Sequence, residues 1–138
     1  MNGFLLDTHI WVWVQNRDND QLSADQFAEV EQWQREQRAF ICPISVWEIA
    51  LLVRSGNLDV GVSVDKFVED AVGDGGLQML PLSTQVLIES TRLPGDLHRD
   101  PADRILVATA REHGLTLVTR DKLLLSYAKQ GHLNARKL

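Results

Sequence analysis

Short apolar segments and longer segments of helical periodicity alternate along the chain. The apolar segments are Phe4–Leu6, Phe40–Cys42, Gln78–Leu80 and Leu115–Val118, and they start at nearly equal intervals. The segments between them are long enough to serve as helical crossovers between parallel strands. Such alternation is typical of a parallel sheet that is covered by helices on both faces. The pattern therefore predicts an α/β fold, a three-layer sandwich with a mostly parallel central sheet.

The segments between the strands carry start and stop signals of helices. The predicted helices are Thr8–Gln15, Ala24–Gln37, Ser45 to about Arg54, Val62–Val72, Thr84–Thr91, Asp100 to Gly114, and Lys122–Lys129. The pattern of Thr8–Gln15 fits a strand or a helix, and the need for a crossover at this point favours a helix. We expect Leu133–Leu138 to add a short edge strand. Because the chain shows no linker or low-complexity stretch, we expect residues 1–138 to form a single domain.

The helix that begins at Asp100 has the clearest start signal in the chain. Asp100 can cap the first free N–H groups, and Pro101 fits the first helical position because that position needs no N–H. The run Ile105–Ala110 is apolar on nearly every face, so we expect it to be buried. Asp103 lies one turn from the helix start, at the edge of this run. A carboxylate held against a core is costly unless a positive group meets it.

Composition limits the classes of function. The chain has 14 basic and 19 acidic residues and a net charge of −5. An acidic protein binds polyanions poorly unless cations neutralise several of its carboxylates. The single cysteine, Cys42, cannot form an internal disulfide, which favours a reducing compartment and hence the cytoplasm. We expect no membrane span, because no apolar run approaches about 18 residues, and no signal peptide, because the N-terminus lacks a basic region.

Four acidic residues fall where a parallel sheet forms binding sites, beyond the carboxyl ends of its strands. Asp7 directly follows the first strand, and Glu48 lies in the first turn of the helix after the second. Asp121 follows the fourth strand, and Asp103 opens the helix that leads into it. A strand order of 3-2-1-4 uses right-handed crossovers only. In that order the four carboxylates converge on one cleft.

Four neighbouring carboxylates repel one another unless some are protonated or a cation lies among them. A ligand set of oxygen atoms suits a hard ion, Mg²⁺ or Mn²⁺, and no cysteine pair or histidine cluster indicates zinc. One or two such ions can activate water and stabilise a leaving oxygen in phosphodiester hydrolysis. Basic side chains close to these acids in sequence are candidates for contacts to a phosphate backbone, namely Arg99, Arg104, Arg120 and Lys122.

The same acids also have explanations that involve no chemistry. Ser45 and Glu48 have the spacing of a capping box, a reciprocal pair of hydrogen bonds at a helix start. Asp7 and Asp121 can each cap the helix that follows. For Asp100, helix capping is a better explanation than a role in the site.

Four sequence motifs, taken together, resemble those of PIN-domain ribonucleases, and most closely the VapC-type toxins of bacterial type II toxin–antitoxin pairs. The motifs are Leu5–Thr8 (LLDT), Ser45–Ile49 (SVWEI), His98–Ala108 (HRDPADRILVA) and Leu117–Asp121 (LVTRD). They cover nearly the whole chain, in the family's order and spacing. The resemblance implies a PIN-like fold and a metal-dependent endoribonuclease. It also implies a small antitoxin protein that wraps the toxin and blocks its site.

The resemblance also assigns roles to individual residues. It implies that Asp7, Glu48, Asp103 and Asp121 are the acidic metal ligands, with Asp100 as an accessory residue and Thr119 as a positioning hydroxyl. We expect the first three acids to bind one ion. Asp121 would bind the same ion directly, bind it through water, or bind a second, weaker ion.

Two functions of other classes remain open from the sequence. An aspartate at the end of the first strand is also typical of phosphatases and phosphotransferases that use it as a covalent nucleophile. Such enzymes usually place a general-acid aspartate two residues later, where this chain has His9. A non-catalytic PIN-like interaction module would use the acidic cleft only as a partner site.

The positions of two tryptophans indicate a binding surface for a partner protein. Trp11 and Trp13 lie two positions apart, so on a helix they cannot both face one core. At least one is therefore expected to be exposed until a partner covers it, consistent with a groove for an antitoxin helix. The exposed aromatic residues and apolar helices also allow a homodimer.

Overall fold

Five parallel strands form the central sheet of the computed structural model, which describes residues 2–138. The strands are β1 (Phe4–Leu6), β2 (Ala39–Ile41), β3 (Gln78–Met79), β4 (Thr116–Val118) and β5 (Ala135–Arg136). They lie in the order β3-β2-β1-β4-β5, and every neighbouring pair is parallel. The predicted order 3-2-1-4 and the predicted fifth edge strand are confirmed.

Seven helices connect the strands or cross over between them. They are α1 (Thr8–Asn16), α2 (Ala24–Arg35), α3 (Pro43–Arg54), α4 (Val64–Val72), α5 (Thr84–Ser90), α6 (Pro101–His113) and α7 (Lys122–Lys129). The ambiguous segment that follows β1 is a helix, as the crossover argument predicted. No helix within residues 2–138 has both the length and the apolar character needed to cross a membrane.

Side chains that alternate along each strand separate two cores, one on each face of the sheet. Leu6 of β1 and Val118 of β4 pack in the core that α1, α2 and α4 cover. Leu5 and Leu117, their neighbours in sequence, pack in the opposite core, which α6 and α7 cover. Because successive residues of a strand point to opposite faces, one short apolar run supplies both cores. The predicted three-layer arrangement is confirmed.

Helix α6 begins and ends at the predicted residues. Asp100 accepts hydrogen bonds from the backbone N–H groups of Ala102 (3.0 Å) and Asp103 (3.2 Å), and Pro101 occupies the first turn. Gly114 ends the helix in a left-handed conformation, with φ of 64°, which glycine adopts without steric cost. Leu106–Ala110 is buried, so α6 forms the centre of the second core.

The predicted start of α3 at a capping box was wrong. The helix begins at Pro43, and its cap residue, Cys42, makes no capping hydrogen bond with its side chain. Pro43 pre-sets the backbone of the first turn, so the helix starts two residues before Ser45. Ser45 and Glu48 therefore lie inside the helix, where their side chains are free for other contacts.

The exposed tryptophan is not the expected one. Trp11 is fully buried and stacks on Phe67, and Trp13 is partly buried beneath the guanidinium of Arg120, 4.9 Å from its ring centre. Trp47 on α3 is 54% exposed. The spacing argument separated Trp11 from Trp13 correctly, but it could not show that a basic side chain covers the second ring.

Arg104 anchors the loop between α5 and α6. Its guanidinium donates hydrogen bonds to the backbone carbonyls of Ser90 (2.8 Å) and Leu97 (3.0 Å), and it lies 3.5 Å from that of His98. Charged donors form the stronger class of hydrogen bond. This side chain therefore holds the loop that carries His98 against the start of α6, instead of pointing away toward a ligand.

We predict that Arg104→Met destabilises the protein. The substitution leaves partly buried carbonyls without their donor, which costs roughly 1–3 kcal/mol in the free energy of unfolding. Urea denaturation followed by circular dichroism measures this change. Arg99→Met is the matched control, because Arg99 is exposed and makes no side-chain hydrogen bond within residues 2–138. Equal stability of the two variants would contradict the anchoring role.

Candidate active site

A cavity of about 350 Å³ opens at the carboxyl edge of the sheet, above β1 and β4. All four acids that the sequence predicted to converge, and the accessory acid, line it. Its acidic lining residues are Asp7, Glu48, Asp100, Asp103 and Asp121. The strand order brings these residues together from positions more than a hundred residues apart, as the topological argument predicted.

Asp7 is the most buried acid of the cavity and has only 9% of its surface exposed. One carboxylate oxygen accepts the backbone N–H of Ile10 (2.9 Å) and so caps α1. The other oxygen accepts the hydroxyl of Thr119. Burial raises the pKa of Asp7, while the hydrogen bonds from Thr119 and Ile10 oppose the rise. Both oxygens are thus fixed by neutral donors, and Asp7 forms no salt bridge within residues 2–138.

Glu48 reaches the cavity from the second turn of α3, held by hydroxyl groups. The Thr8 hydroxyl donates to Glu48 Oε1 at 2.5 Å, and Thr8 Oγ1 lies 2.8 Å from the fully buried Ser45 Oγ. Because Thr8 has one hydroxyl proton, Ser45 donates to Thr8 when Thr8 donates to Glu48. Burial raises the pKa of Glu48, and the charge of Asp103 adds to the rise.

Asp103 faces the cavity from the first turn of α6 and is paired with a histidine. His98 Nε2 lies 2.7 Å from Asp103 Oδ2, and the other ring nitrogen of His98 is buried with no partner within the described chain. Burial raises the pKa of Asp103, and the hydrogen bond from His98 opposes the rise. The nearby carboxylates of Asp100 and Asp121 raise it further.

Asp121 lies at the rim of the cavity and caps α7. Its Oδ1 accepts the backbone N–H groups of Leu123 (2.8 Å) and Leu124 (3.1 Å). Its own backbone N–H donates to Thr119 Oγ1 at 3.0 Å. Since the same hydroxyl donates to Asp7, Thr119 links the two acids that follow β1 and β4. Thr119, for which the resemblance implied a positioning role, thus contacts both acids.

Helix capping and a place in the cavity are therefore not alternatives for these aspartates. Asp7, Asp100 and Asp121 cap α1, α6 and α7, and all three line the cavity. Three helices point their N-termini at one place, where the helix dipoles favour negative charge. The capping bonds fix each carboxylate by one oxygen, and at Asp100 and Asp121 the second oxygen makes no hydrogen bond within residues 2–138.

Of the four basic residues expected to contact phosphate, one lines the cavity. Arg120 lies over Trp13 and donates to the carbonyl oxygens of Leu138 (2.8 Å) and Gln21. The guanidinium of Arg104 is engaged by backbone carbonyls, as described above. Arg99 and Lys122 are exposed and lie outside the cavity lining.

The donor set suits a hard cation in type and in place. Carboxylate oxygens are the ligands that Mg²⁺ and Mn²⁺ prefer, and three of these carboxyls have pKa values raised by burial, so a cation would offset a real cost. However, no three acidic, histidine or cysteine side chains within residues 2–138 gather closely enough to hold an ion as they are oriented. Asp7, Glu48 and Asp103 each direct an oxygen to a protein donor instead.

Sequence reasoning missed the contacts that orient Glu48 and Asp103. Thr8 and Ser45 hold Glu48, and His98 holds Asp103. The sequence carries a signal for Ser45, because a serine three residues before a glutamate has the spacing of a capping box. That spacing does not show the contact of both residues with Thr8. Thr8 and His98 stand inside the quoted motifs, but only the fold shows that their side chains contact the acids.

Comparison with known proteins agrees with this architecture. The chain is 28% identical over 127 residues to Ribonuclease VapC22 of Mycobacterium tuberculosis. The aligned region covers 92% of this chain and 93% of that protein. Among solved structures, it is similar to VapBC2 of Rickettsia felis bound to a promoter DNA fragment, with a TM-score of 0.67, 15% identity and 97% coverage of both chains. It is also similar to DNA-bound VapBC of Salmonella typhimurium, with a TM-score of 0.63, 18% identity and coverage of 99% and 98%.

The profile of the PIN domain matches residues 4–130, which is most of the chain. This match contains the four motifs and every acid of the cavity. The family predicted from the motifs is thereby confirmed, and the chain belongs to the PIN-domain family.

Proposed function

We propose that the chain is a Mg²⁺- or Mn²⁺-dependent endoribonuclease that acts as the toxin of a cytoplasmic toxin–antitoxin pair. One observation carries the proposal: Asp7, Glu48, Asp103 and Asp121 line a single cavity at the carboxyl edge of the sheet. The name of its relative, Ribonuclease VapC22, supports cleavage of RNA. The similar VapBC structures support a role beside an antitoxin.

In this proposal, Asp7, Glu48 and Asp103 hold one ion, and Asp121 joins them directly, through water, or at a second ion. The bound ion supplies Lewis acidity, which activates water and stabilises the leaving oxygen of a phosphodiester. Because no three of the acidic side chains within residues 2–138 gather closely enough as they are oriented, at least one of these carboxylates must turn when an ion binds. Asp103 and Glu48 are the less buried of the three and so the freer to turn.

The chain's own side chains then act by position and charge. Thr119 fixes Asp7, and the Ser45–Thr8 pair fixes Glu48, so the acids are pre-oriented before substrate arrives. Arg120 supplies the positive charge at the cavity wall for a phosphate group. No serine or cysteine is among the cavity-lining residues, and Thr8 donates its proton to Glu48, so we assign the nucleophile to water.

A phosphatase with Asp7 as a covalent nucleophile is not favoured. Both oxygens of Asp7 accept hydrogen bonds, from Ile10 and Thr119, and only 9% of the residue's surface is exposed. Attack on phosphorus requires a free, accessible oxygen. His9, which stands where the general acid would be, is exposed at the cavity edge.

We also propose a small antitoxin protein as the partner. Trp47 and Leu51 lie one turn apart on α3 and are 54% and 43% exposed, which places an apolar patch on the helix that carries Glu48. Exposed aromatic anchors of this kind are typical of protein interfaces. A homodimer stays a prediction.

We predict that Asp7→Asn abolishes RNA cleavage without unfolding the protein. Asparagine retains an oxygen for capping α1, but it loses the charge that binds a cation. We expect the cleavage rate with Mg²⁺ or Mn²⁺ on ribosomal and transfer RNA to fall by on the order of 10²–10³-fold. Gel electrophoresis measures the rate, and circular dichroism checks the fold.

Asp65→Asn is the matched control for this experiment. Asp65 is an exposed aspartate in the first turn of α4, outside the cavity, so its loss should leave cleavage unchanged. Cleavage by Asp7→Asn at the wild-type rate would remove the assignment. Metal binding by the wild type with no cleavage of any RNA would favour the interaction module instead.

We predict that Asp103→Asn stabilises the metal-free protein at neutral pH. The folded protein raises the pKa of Asp103 above its usual 3.8, chiefly by burial. The folded state therefore binds the proton more tightly, and the carboxylate becomes destabilising as the pH rises from 3.8 through the raised value. Removing the charge should raise the melting temperature by about 3–5 °C, for roughly 1 kcal/mol.

Two further measurements make this prediction specific. The gain in melting temperature should shrink as the pH falls toward 3.8, because the wild-type carboxyl then becomes neutral as well. Mg²⁺ at about a hundredfold excess over its Kd should stabilise the wild type by roughly 2.7 kcal/mol and the variant much less. A variant that is less stable than the wild type at every pH, with an unchanged metal response, would show that Asp103 serves only the fold.

A further inference from the structure

A second cavity, larger than the active-site cavity, runs between α7 and the edge strand β5. Its volume is about 870 Å³. We name it the lysine groove, after the three basic residues that line it, Lys122, Lys129 and Lys137. The remaining lining residues are small, polar or aliphatic, and none is acidic or aromatic.

One wall of the lysine groove is a single face of α7. Lys122, Leu125, Ser126 and Lys129 follow the spacing i, i+3, i+4, i+7, which places them on one stripe of the helix. The two lysines are separated by about 10 Å along the helix axis. Cationic groups at both ends of the stripe therefore face the same space.

The other wall is β5 and the residue after it. Ala135 and Lys137 line the groove, whereas Arg136 between them pairs with Glu29 at 2.5 Å and lies over Trp33. Alternation along the strand thus directs one basic residue to the groove and the next to the opposite face. Arg136 has an acidic partner and Lys137 has none within residues 2–138.

The distribution of lysines in the chain is uneven. The chain has four lysines, and three of them line this groove. The fourth, Lys66, lies elsewhere and pairs with Asp70 at 2.9 Å. Lys122, Lys129 and Lys137 are exposed and form no salt bridge within the described residues. In a chain of net charge −5, this is a local cationic surface with its charges unpaired.

The lysine groove and the active-site cavity are lined by consecutive residues at one point of the chain. Lys122, at one end of the groove, directly follows Asp121, which lines the cavity. We propose that the lysine groove binds the single-stranded RNA segment that leads away from the cleavage site. This inference rests on the proposed function. The lysines contact phosphates, and because the lining has no aromatic side chain for stacking, binding is tolerant of sequence and strongly salt-dependent.

Binding is tested without cleavage, in the presence of EDTA. The probe is a fluorescent single-stranded RNA of about 20 nucleotides and mixed sequence, long enough to occupy both sites. For Lys129→Gln/Lys137→Gln, we expect the Kd from fluorescence anisotropy to rise roughly 10-fold. The slope of log K against log salt should become shallower by about 1.4, since each single-strand phosphate contact contributes about 0.7.

The matched control is Lys66→Gln/Arg35→Gln, which removes the same charge from exposed positions outside the groove. It should bind with the wild-type Kd and salt slope. Both double variants should melt at the wild-type temperature, because surface substitutions of this kind change stability little. Equal Kd values and slopes for the groove variant and the control would overturn the proposal.

A cleavage assay distinguishes a failure of this inference from a failure of the proposed function. With Mg²⁺ present, the groove variant should show a raised KM for long RNA and an unchanged kcat. For RNA too short to leave the cavity, both constants should match the wild type. Lysine-dependent binding by a wild type that cleaves no RNA would support the groove and refute the proposed function. Cleavage of long RNA with the same KM in variant and wild type would refute the groove alone.

Discussion

The site depends on aspartates that begin helices at the carboxyl edge of the sheet. Asp7, Asp100 and Asp121 each accept backbone N–H groups from the helix that follows. Those hydrogen bonds are needed for folding, since the first N–H groups of a helix have no partner of their own. The same bonds fix the direction of each carboxylate. Because β1 and β4 are neighbours, the helices that start beside them present their caps to one space, and the cavity is acidic as a consequence of how the fold begins its helices.

This arrangement carries an electrostatic cost that the fold reduces only in part. Asp7, Glu48 and Asp103 all have pKa values raised by burial, and each receives a hydrogen bond from a neighbouring side chain. The donors to Asp7 and Glu48 are hydroxyls, which orient a carboxylate without neutralising it. Such a cluster is stabilised when one carboxylate takes up a proton or when a cation lies among the carboxylates. Sites of this kind are less stable than the surrounding fold because their geometry serves chemistry.

The sheet order and the acids of the cleft were predictable from the sequence, and the contacts that orient Glu48 and Asp103 were not. Parallel strands with right-handed crossovers allow few orders, so residues that follow the strands can be placed without coordinates. The environment of Glu48 depends on Pro43, which moves the start of α3 so that Glu48 makes a partly buried contact with Thr8 instead of a cap. The role of Arg104 depends on carbonyl groups in a loop with no periodicity. Such contacts are decided by packing between segments, which local patterns do not encode.

Net charge was the least informative of the sequence properties. A net charge of −5 predicts weak affinity for polyanions. However, the acids of the cavity and the lysines of the groove occupy different parts of the surface, so the net charge does not describe either region. Five acids line the cavity at the carboxyl edge of the sheet, whereas three of the four lysines follow one side of α7 and the end of β5. Asp121 and Lys122 mark the boundary between the two regions. An approaching nucleic acid responds to the potential near its own path, because charges beyond about 10 Å are screened at physiological salt. Under the proposed function, this division of charge guides a phosphate backbone along one surface and concentrates carboxylates at the point of cleavage.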